Sequence, residues 1–501
     1  MKEKNNPPTA KAVKRAGKIK TRIAPSPTGI MHIGNLRTAL YNYLFAKQNG
    51  GEFLLRIEDT DRERFVEGAT EKVYEILEWA GIQWDNKDPM VQSERIDIYK
   101  KYAQQLVEEE MAYYCFCTPE ELKQMREEQQ KKKLPPKYNG RCRKLSKEEV
   151  KEKLTGHKPY VIRLKVPENQ SIEFNDTVYG KIKYNSSDVD DQILIKSDGF
   201  PTYHLAVVID DHEMGITHIM RGEDWLPSTP KHVLLYQAFG LEAPEFIHLP
   251  NILGENRKKL SKRTGDVSAE SFKEQGYLPE ALINYLALLG WNPGTEQEIF
   301  SLEELIKSFD IKKIHKAGAV FDIKKLDNIN GQYIRKLKVE KLKELCLPYL
   351  EKTYNLKKFN DKYIEAVVKL EQERLKKLSD ITENTKLFFI DELEYEAELL
   401  VWKKMKNPPS PDGYGEAMQK LNDNLTIIKQ KLVEIDAWNK DNLEKEVMDF
   451  IAENNLTNGE VLWPLRVALS GQQNSPGPFE IMDVLGKEES LKRIQDGIKK
   501  L

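Results

Sequence analysis

TRIAPSPTGIMHIGNLRTALYNYLFAKQNGGEFLLRIEDTD, residues 21–61, carries the pattern that decides the fold. Residues 20–24 read as a short strand running into a Pro/Gly turn. A helix follows from about Gly34, with Leu36, Leu40, Tyr43 and Leu44 near helical spacing. Residues 53–58 read as a second strand ended by polar turn residues. ATEKVYEILEWAGI, just beyond, spaces its apolar residues as an amphipathic helix does. Strand, helix, strand, helix is the opening of a βαβ unit with a parallel sheet.

Working outward, residues 93–110 read as another helix. PYVIRLKVP, SIEFNDTVYGKIKYN and DQILIKSDGFPTYHLAVVIDDHEMG are β-rich in pattern, broken by Gly and Asp turns. Within the last, FPTYHLAVVIDD is a continuous apolar run ending in acids, the type expected of a buried parallel strand. The sheet is therefore expected to resume after an inserted α+β domain at 101–202. The first half of the sheet domain is placed at 20–100 and the second half at 203–264. From 265 the character turns helical: 265–330 forms one region, and strand patterns nearly vanish beyond it. Runs such as KYIEAVVKLEQERLKKL and DNLEKEVMDFIAENN carry apolar residues at helical spacing. Two all-helical units are expected, 331–420 and 421–501, with the Pro/Gly-rich stretch 407–415 as a loop. The fold class is α/β: a Rossmann-type parallel-sheet domain with an inserted α+β domain, followed by all-α C-terminal domains.

A chain of 501 residues exceeds what one hydrophobic core supports. Hydrophobic residues at 40% and charged residues at 32% suit a globular chain, and no window approaches the ~20 apolar residues of a bilayer span. The first 19 residues are basic without an apolar core, which reads as a flexible or targeting leader and not as a secretory signal. A net charge of −2 excludes nothing, so distribution matters more. Between residues 131 and 158 stand 11 Lys or Arg against three Glu, a stretch suited either to a phosphate backbone or to a solvated loop. Three of the four cysteines, Cys115, Cys117 and Cys142, are close in sequence, and Cys346 is remote. With no secretory signal read at the start, that pattern is expected of a reducing, cytoplasmic compartment and a candidate metal site rather than a disulfide framework.

The strongest chemical signal is Pro25-Ser26-Pro27-Thr28-Gly29 followed by His32-Ile33-Gly34-Asn35. A helix N-terminus directly after the first βα turn offers unpaired backbone N–H groups to phosphates. An imidazole just before a glycine donates to a phosphate where backbone and nucleotide approach closely. The second signal lies about 225 residues on: Lys259-Leu260-Ser261-Lys262-Arg263. Two lysines three apart on a loop neutralise triphosphate and the charge developing on pyrophosphate.

Together these motifs resemble the HIGH and KMSKS signatures of class I aminoacyl-tRNA synthetases. TRIAPSPTGIMHIGNLRTAL, LLRIEDTDRER, YHLAVVIDDHEMGITHIMRGEDWLPSTPKH and RKKLSKRTGDVS resemble the bacterial-type glutamyl-tRNA synthetase family in particular. The likeness is dense from residue 21 to about 330 and thinner to VLWPLRVALSGQQNSPGPFEIMDVLGKEE. Asn35 stands where the first signature usually has His, and KLSKR replaces KMSKS. The resemblance implies ATP with Mg2+, L-glutamate and tRNAGlu as substrates, a glutamyl-adenylate intermediate, and a monomer. It implies that Pro25, His32, Gly34, Asn35, Lys259, Ser261 and Lys262 hold ATP, with His32, Gly34, Lys259 and Lys262 acting in catalysis. The insert at 101–202 is then the acceptor-end-binding domain, 265–330 the stem-contact region, and 331–501 the anticodon-binding part.

A glutamate substrate needs a cation for its side-chain carboxylate and an anion for its ammonium, and arginine offers a carboxylate-shaped fork. By resemblance Arg22 binds that carboxylate beside Ala24 and Ser26, Glu58 binds the α-amino group, and Tyr203 and Arg221 add further contacts. PSPTG in place of a PEPNG-type string, and a helical rather than β-barrel distal half, separate this chain from the glutaminyl-tRNA synthetases. Charging of tRNAGln with glutamate stays open. So does the role of Arg466 in WPLRVALSG, as an anticodon contact or a core-edge arginine.

The Cys115-x-Cys117 pair with Cys142 suits a structural zinc. By resemblance the fourth ligand is Tyr138, four residues before Cys142, rather than Lys144. The alternative is three reduced cysteines without metal.

Overall fold

The computed structural model describes residues 17–27, 29–61, 64, 66–260, 267–402 and 413–501. Most of the basic leader, part of the 407–415 stretch, and Ser261 and Lys262 lie outside these residues. The chain divides into two compact units, Met1–Glu274 with Pro279–Leu326, and Gln275–Leu278 with Asp327–Leu501.

The first unit opens as its sequence pattern dictates. Strand β1 (Lys20–Ile23) leads through the Pro/Gly turn into α1 (Ile33–Gln48), and the chain returns in β2 (Glu52–Ile57), parallel to β1 with Arg22 opposite Leu54. Helix α2 (Ala69–Trp79) connects to the short β3 (Met90–Val91), parallel to β2. α1 buries residues around most of its circumference, from Leu36, Leu40 and Leu44 to Arg37, Tyr41 and Asn42. Among its buried polar members, Asn42 donates to the carbonyls of Thr38 (2.8 Å) and Met220 (3.1 Å).

Helix α3 (Ile96–Glu108) precedes β4 (Ala112–Cys115), α4 (Pro119–Lys131), α5 (Lys147–Thr155) and β5 (Val161–Leu164). A hairpin follows, β6 (Ser171–Asp176) with β7 (Gly180–Asn185), and then β8 (Ile193–Ile195). β4, β5 and β8 form a separate antiparallel sheet. The β6–β7 hairpin leaves it and pairs with the main fold, through a parallel contact of Asp176 with Phe246. The stretch expected inside the insert thus contributes an edge to the catalytic sheet.

The segment read as a buried strand, FPTYHLAVVIDD, is instead helix α6 (Tyr203–Glu213). Leu205 to Asp211 are all buried, so no polar stripe exists to reveal a 3.6-residue period, and a helix buried all round looks like a buried strand in sequence. After it come β9 (His218–Gly222), α7 (Thr229–Ala238) and β10 (Glu245–Leu249), with β9 and β10 parallel. Thr217, just before β9, donates its N–H to the Lys20 carbonyl (3.0 Å) and its hydroxyl accepts the Lys20 N–H (2.9 Å). These bonds set the edge of β9 beside β1, so strands from both halves of the domain meet. Helices Pro279–Leu288 and Leu302–Ser308 complete this unit.

The second unit is helical throughout its described residues. Residue 420 lies inside the 22-residue helix Gly413–Glu434. No helix among the described residues is long and apolar enough to cross a membrane.

Candidate active site and cysteine cluster

His32 is the N-cap of α1. Its backbone is extended (φ −71°, ψ 141°) and its Nδ1 accepts the Gly34 N–H at 3.0 Å. A neutral imidazole that accepts at Nδ1 carries its proton on Nε2, so the ring is set as a donor on that side. A Cβ at Gly34 would lie 3.2 Å from the His32 Nδ1, so the glycine is what leaves the imidazole room.

The start of α1 is held by backbone pairing to residues well beyond it in the chain. Ile33 donates to the Val267 carbonyl and Ala269 to that of Met31, both at 2.9 Å, and His32 bridges Ser268. The residues that follow the KLSKR loop are thus stitched to the start of α1. Lys259 forms an ion pair with Asp224.

All six residues expected to hold the amino acid (Arg22, Ala24, Ser26, Glu58, Tyr203 and Arg221) line one cleft of about 730 Å3, and Pro25 and Asn35 line it too. The cleft sits at the C-terminal ends of parallel strands, where open α/β sheets bind ligands. Its floor is a buried ion network. Arg22 grips Asp211 with Nε (3.0 Å) and Nη2 (3.1 Å), which leaves Nη1 uncommitted to Asp211. Arg56 reaches Asp211 with Nη1 at 2.7 Å and the Glu58 Oε1 with Nη2 at 2.9 Å. Burial alone would raise the Asp211 carboxyl, but Arg22 and Arg56 outweigh it and hold it below the ordinary carboxylate range. Burial pushes Glu58 the other way, upward, against the pull of Arg56 and Arg22. Next in line, Asp210 accepts from Gln92 (2.8 Å), Arg95 (3.0 Å) and Tyr99 (2.9 Å).

Arg221 has a different setting. Its Nε donates to His248 Nε2 (3.1 Å), Nη1 to His232 Nδ1 (3.1 Å) and Nη2 to the Thr229 hydroxyl (2.9 Å). Tyr203 packs over Trp225 at the cleft wall, with ring centroids 4.2 Å apart. Burial, followed by the nearby Glu58, keeps the Tyr203 phenol protonated.

Sequence reasoning passed over Asp211, Arg56, His232, His248 and Thr229. One signal was present: an arginine inside the apolar strand LLRIE and two acids closing an apolar helix must be buried, and buried charges require partners.

In the β4–β5–β8 sheet region, the sulfurs of Cys115, Cys117 and Cys142 lie within 4.8 Å of one another. The Tyr138 Oη stands 3.4 Å from the Cys115 sulfur and 3.3 Å from that of Cys117, and accepts the Cys142 N–H at 3.0 Å. Zinc–sulfur bonds of about 2.3 Å in a tetrahedron set sulfurs roughly 3.8 Å apart. Three thiols and a phenol at this spacing fit one zinc ion. The Arg163 guanidinium lies over the Tyr138 ring, 4.2 Å from its centroid. Arg466, in the second unit, donates to the Gln473 carbonyl at 2.9 Å and stacks 4.8 Å from the Trp463 ring.

Residues 18–328 match the family model of the class I tRNA synthetases (E and Q) catalytic domain, and residues 341–498 match that of an anticodon binding domain. The chain is 48% identical to the glutamate--tRNA ligase of Clostridium kluyveri over 97% of this chain and 98% of that one. It is 48% identical to the enzyme of the same name from Clostridium tetani, again over 97% and 98%. Among solved structures, a glutamate tRNA ligase from Elizabethkingia meningosepticum in complex with its amino acid superposes with a TM-score of 0.85 at 40% identity, covering 97% of this chain and 100% of that one. With a catalytic half and a helical half both matched along nearly their whole length, the chain belongs to the bacterial-type class I glutamyl-tRNA synthetases.

Proposed function

We propose that the chain activates L-glutamate with ATP and transfers it to the 3′-terminal adenosine of tRNAGlu. One observation carries this reading: a cleft lined by Arg22, Glu58 and Arg221 opens beside the N-terminus of a helix capped by His32. A glutamate α-carboxylate oxygen attacks the α-phosphorus of ATP, the bond to pyrophosphate breaks, and glutamyl-adenylate forms. The 2′-hydroxyl oxygen of the terminal adenosine then attacks the acyl carbon, loses its proton, and AMP leaves. The nucleophilic carboxylate is already charged, so positioning and electrostatics do most of the catalysis.

In this reading the Nε2–H of His32 donates to phosphate, and the absence of a side chain at Gly34 leaves space for the nucleotide. Lys259 and Lys262 offset charge on the departing pyrophosphate, with Ser261 and Asn35 at the same nucleotide. Lys259 must exchange Asp224 for phosphate as ATP enters. Mg2+ supplies further neutralisation of the triphosphate when bound. Arg22, with Ala24 and Ser26, takes the glutamate carboxylate, while Glu58 takes the ammonium and Tyr203 and Arg221 close the site. Cys115, Cys117, Tyr138 and Cys142 hold a structural zinc that shapes the acceptor-end-binding part of the insert. The helices of 331–501 read the anticodon. The protein works as a cytoplasmic monomer.

The test is charging of separate tRNAGlu and tRNAGln transcripts with radiolabelled glutamate and ATP-Mg2+. Charging of tRNAGlu alone is the expected result. Charging of both makes the enzyme non-discriminating, and charging of neither by folded protein refutes the reading. For the metal, elemental analysis is expected to find one zinc per chain, lost in C142S; a metal-free wild type overturns the zinc assignment.

A further inference from the structure

Three arginines stand near the cysteine cluster, and they differ in what meets their charge. Arg141 approaches Cys117 but is exposed and ion-paired with Glu121. Arg143 lies 3.7 Å from the Asp191 carboxylate. Arg163 is only 5% exposed, yet among the described residues no carboxylate lies within 4.0 Å of it. Asp191 offers Arg163 its backbone carbonyl, which accepts from Nη1 at 2.8 Å. The Asp191 carboxylate is engaged elsewhere, accepting the Tyr113 hydroxyl (2.6 Å) and the Val166 N–H (3.0 Å). The Arg163 Nε is buried without a hydrogen-bond partner. A buried cation is costly unless an opposite charge is set against it.

The strand register says which charge that is. β4 and β5 pair antiparallel, with Tyr113 opposite Arg163 and Cys115 opposite Val161. Opposed residues share a face of the sheet and every second residue returns to it, so Cys115 and Arg163 are diagonal neighbours on one face. The guanidinium covers the Tyr138 ring, 4.2 Å from its centroid, and stands within hydrogen-bonding reach of the Cys115 sulfur. Cys115 and Tyr138 are two of the four groups assigned to zinc. As three thiols and a phenol, the cluster offers Arg163 no negative charge. A metal binds the thiolate form, and three thiolates outweigh the two positive charges of zinc. The loaded cluster is therefore a buried anion beside a buried cation.

We propose that Arg163 is a positioning residue of the metal centre that acts through its charge: it is the buried counter-cation of the loaded cluster and so favours the loaded over the empty state. This rests on the reading that the four groups hold zinc. Arg163 touches no metal in this assignment; it acts through the Cys115 sulfur and the Tyr138 ring. Partners behind the ligands of a metal commonly set its affinity by about 10- to 100-fold, and a buried charge is a strong form of such a partner.

The test compares R163M with R163K in the full-length chain. Methionine keeps an unbranched apolar stem and removes the charge, whereas lysine keeps the charge on a different head. Zinc affinity is measured by competition with a chromophoric chelator. The ligand set is followed in the cobalt(II)-loaded proteins by their thiolate-to-metal absorption. R163M is expected to weaken zinc binding about 10- to 100-fold with the cobalt spectrum unchanged. R163K is expected to bind zinc more tightly than R163M, a rescue that an arginine serving only to pack the sheet would not show. If circular dichroism finds R163M unfolded, R163Q takes its place, since its neutral amide can still donate to the Asp191 carbonyl. A folded R163M or R163Q that binds zinc as tightly as the wild type overturns the proposal. So does R163K that binds no better than the neutral variant, because packing rather than charge is then at work. A changed cobalt spectrum in the neutral variant overturns it too, because the arginine then shapes the ligand set. A wild type that binds no zinc overturns the metal assignment itself, a separate outcome from any behaviour of the variants.

Discussion

Replacing Asp211 by Asn tests the idea that the cleft floor is held by one ionic node. Asp211 is fully buried and accepts three bonds, two from Arg22 (3.0 and 3.1 Å) and one from Arg56 (2.7 Å). Asn keeps one acceptor oxygen and turns an NH2 group toward a guanidinium. Arg56 retains Glu58 at 2.9 Å and lies 3.8 Å from Asp210, whereas Arg22 loses its one ion-pair partner among the described residues. Breaking a buried pair costs about 3–5 kcal/mol, and because one of the two arginines keeps a partner the expected loss is about 3 kcal/mol. Amide hydrogen exchange in β1, β2 and α6 reads that loss locally, independent of the second unit. The pH dependence has a definite sign. The Asp211 carboxyl is held below its ordinary value, so its stabilisation is present above the unfolded-state value of about 3.9 and is lost as pH falls through the lower folded-state value. The gap between wild type and D211N is therefore expected to be constant from about pH 8 to 5 and to close only in stronger acid. A difference below about 1 kcal/mol would equal a surface ion pair and would refute the argument.

Other outcomes follow from the same geometry. H32A removes both the cap of α1 and the Nε2 donor, so charging kcat is expected to fall about 100-fold or more while thermal melting registers only the ~1 kcal/mol of a lost cap; a rate loss no larger than the loss of folded protein would remove the imidazole from the chemistry. G34A places a Cβ 3.2 Å from the His32 Nδ1, and steady-state kinetics is expected to show kcat/KM for ATP reduced about tenfold with the melting temperature unchanged. G459A is a case where propensity and packing disagree. Alanine favours a helix over glycine by about 1 kcal/mol. Here, however, the new Cβ would lie 2.5 Å from ring atoms of Trp402. Overpacking of about 1–3 kcal/mol is expected to prevail, and urea unfolding of the variant should show a lower midpoint.

The sequence by itself determined the βα opening, because strand alternation, a Pro/Gly turn and helical spacing are local properties. β1 and β2 begin and end within a residue of the expected bounds, and α1 begins at Ile33, one residue before the expected Gly34. The histidine–glycine string was legible for a similar reason: it is local, and His32 does cap α1 with its Nδ1 accepting the Gly34 N–H. The helical character of the distal half was visible in its 3.6-residue spacing, because those helices keep a polar face.

Tertiary structure alone decided three things. It made α6 a helix, since a segment buried on every side carries no periodicity to read. It sent the β6–β7 hairpin to the edge of β10, because strand pairing between residues as distant as Asp176 and Phe246 is chosen by the surrounding core and not by either strand. It also separated Arg22 from Arg221. As residues the two are the same cation; in the fold one is matched by Asp211 and the other is held by two imidazoles and a hydroxyl. The charge a buried arginine presents to a ligand depends on which side chains the fold sets against it, and those come from α6, α7 and β10, far apart along the chain.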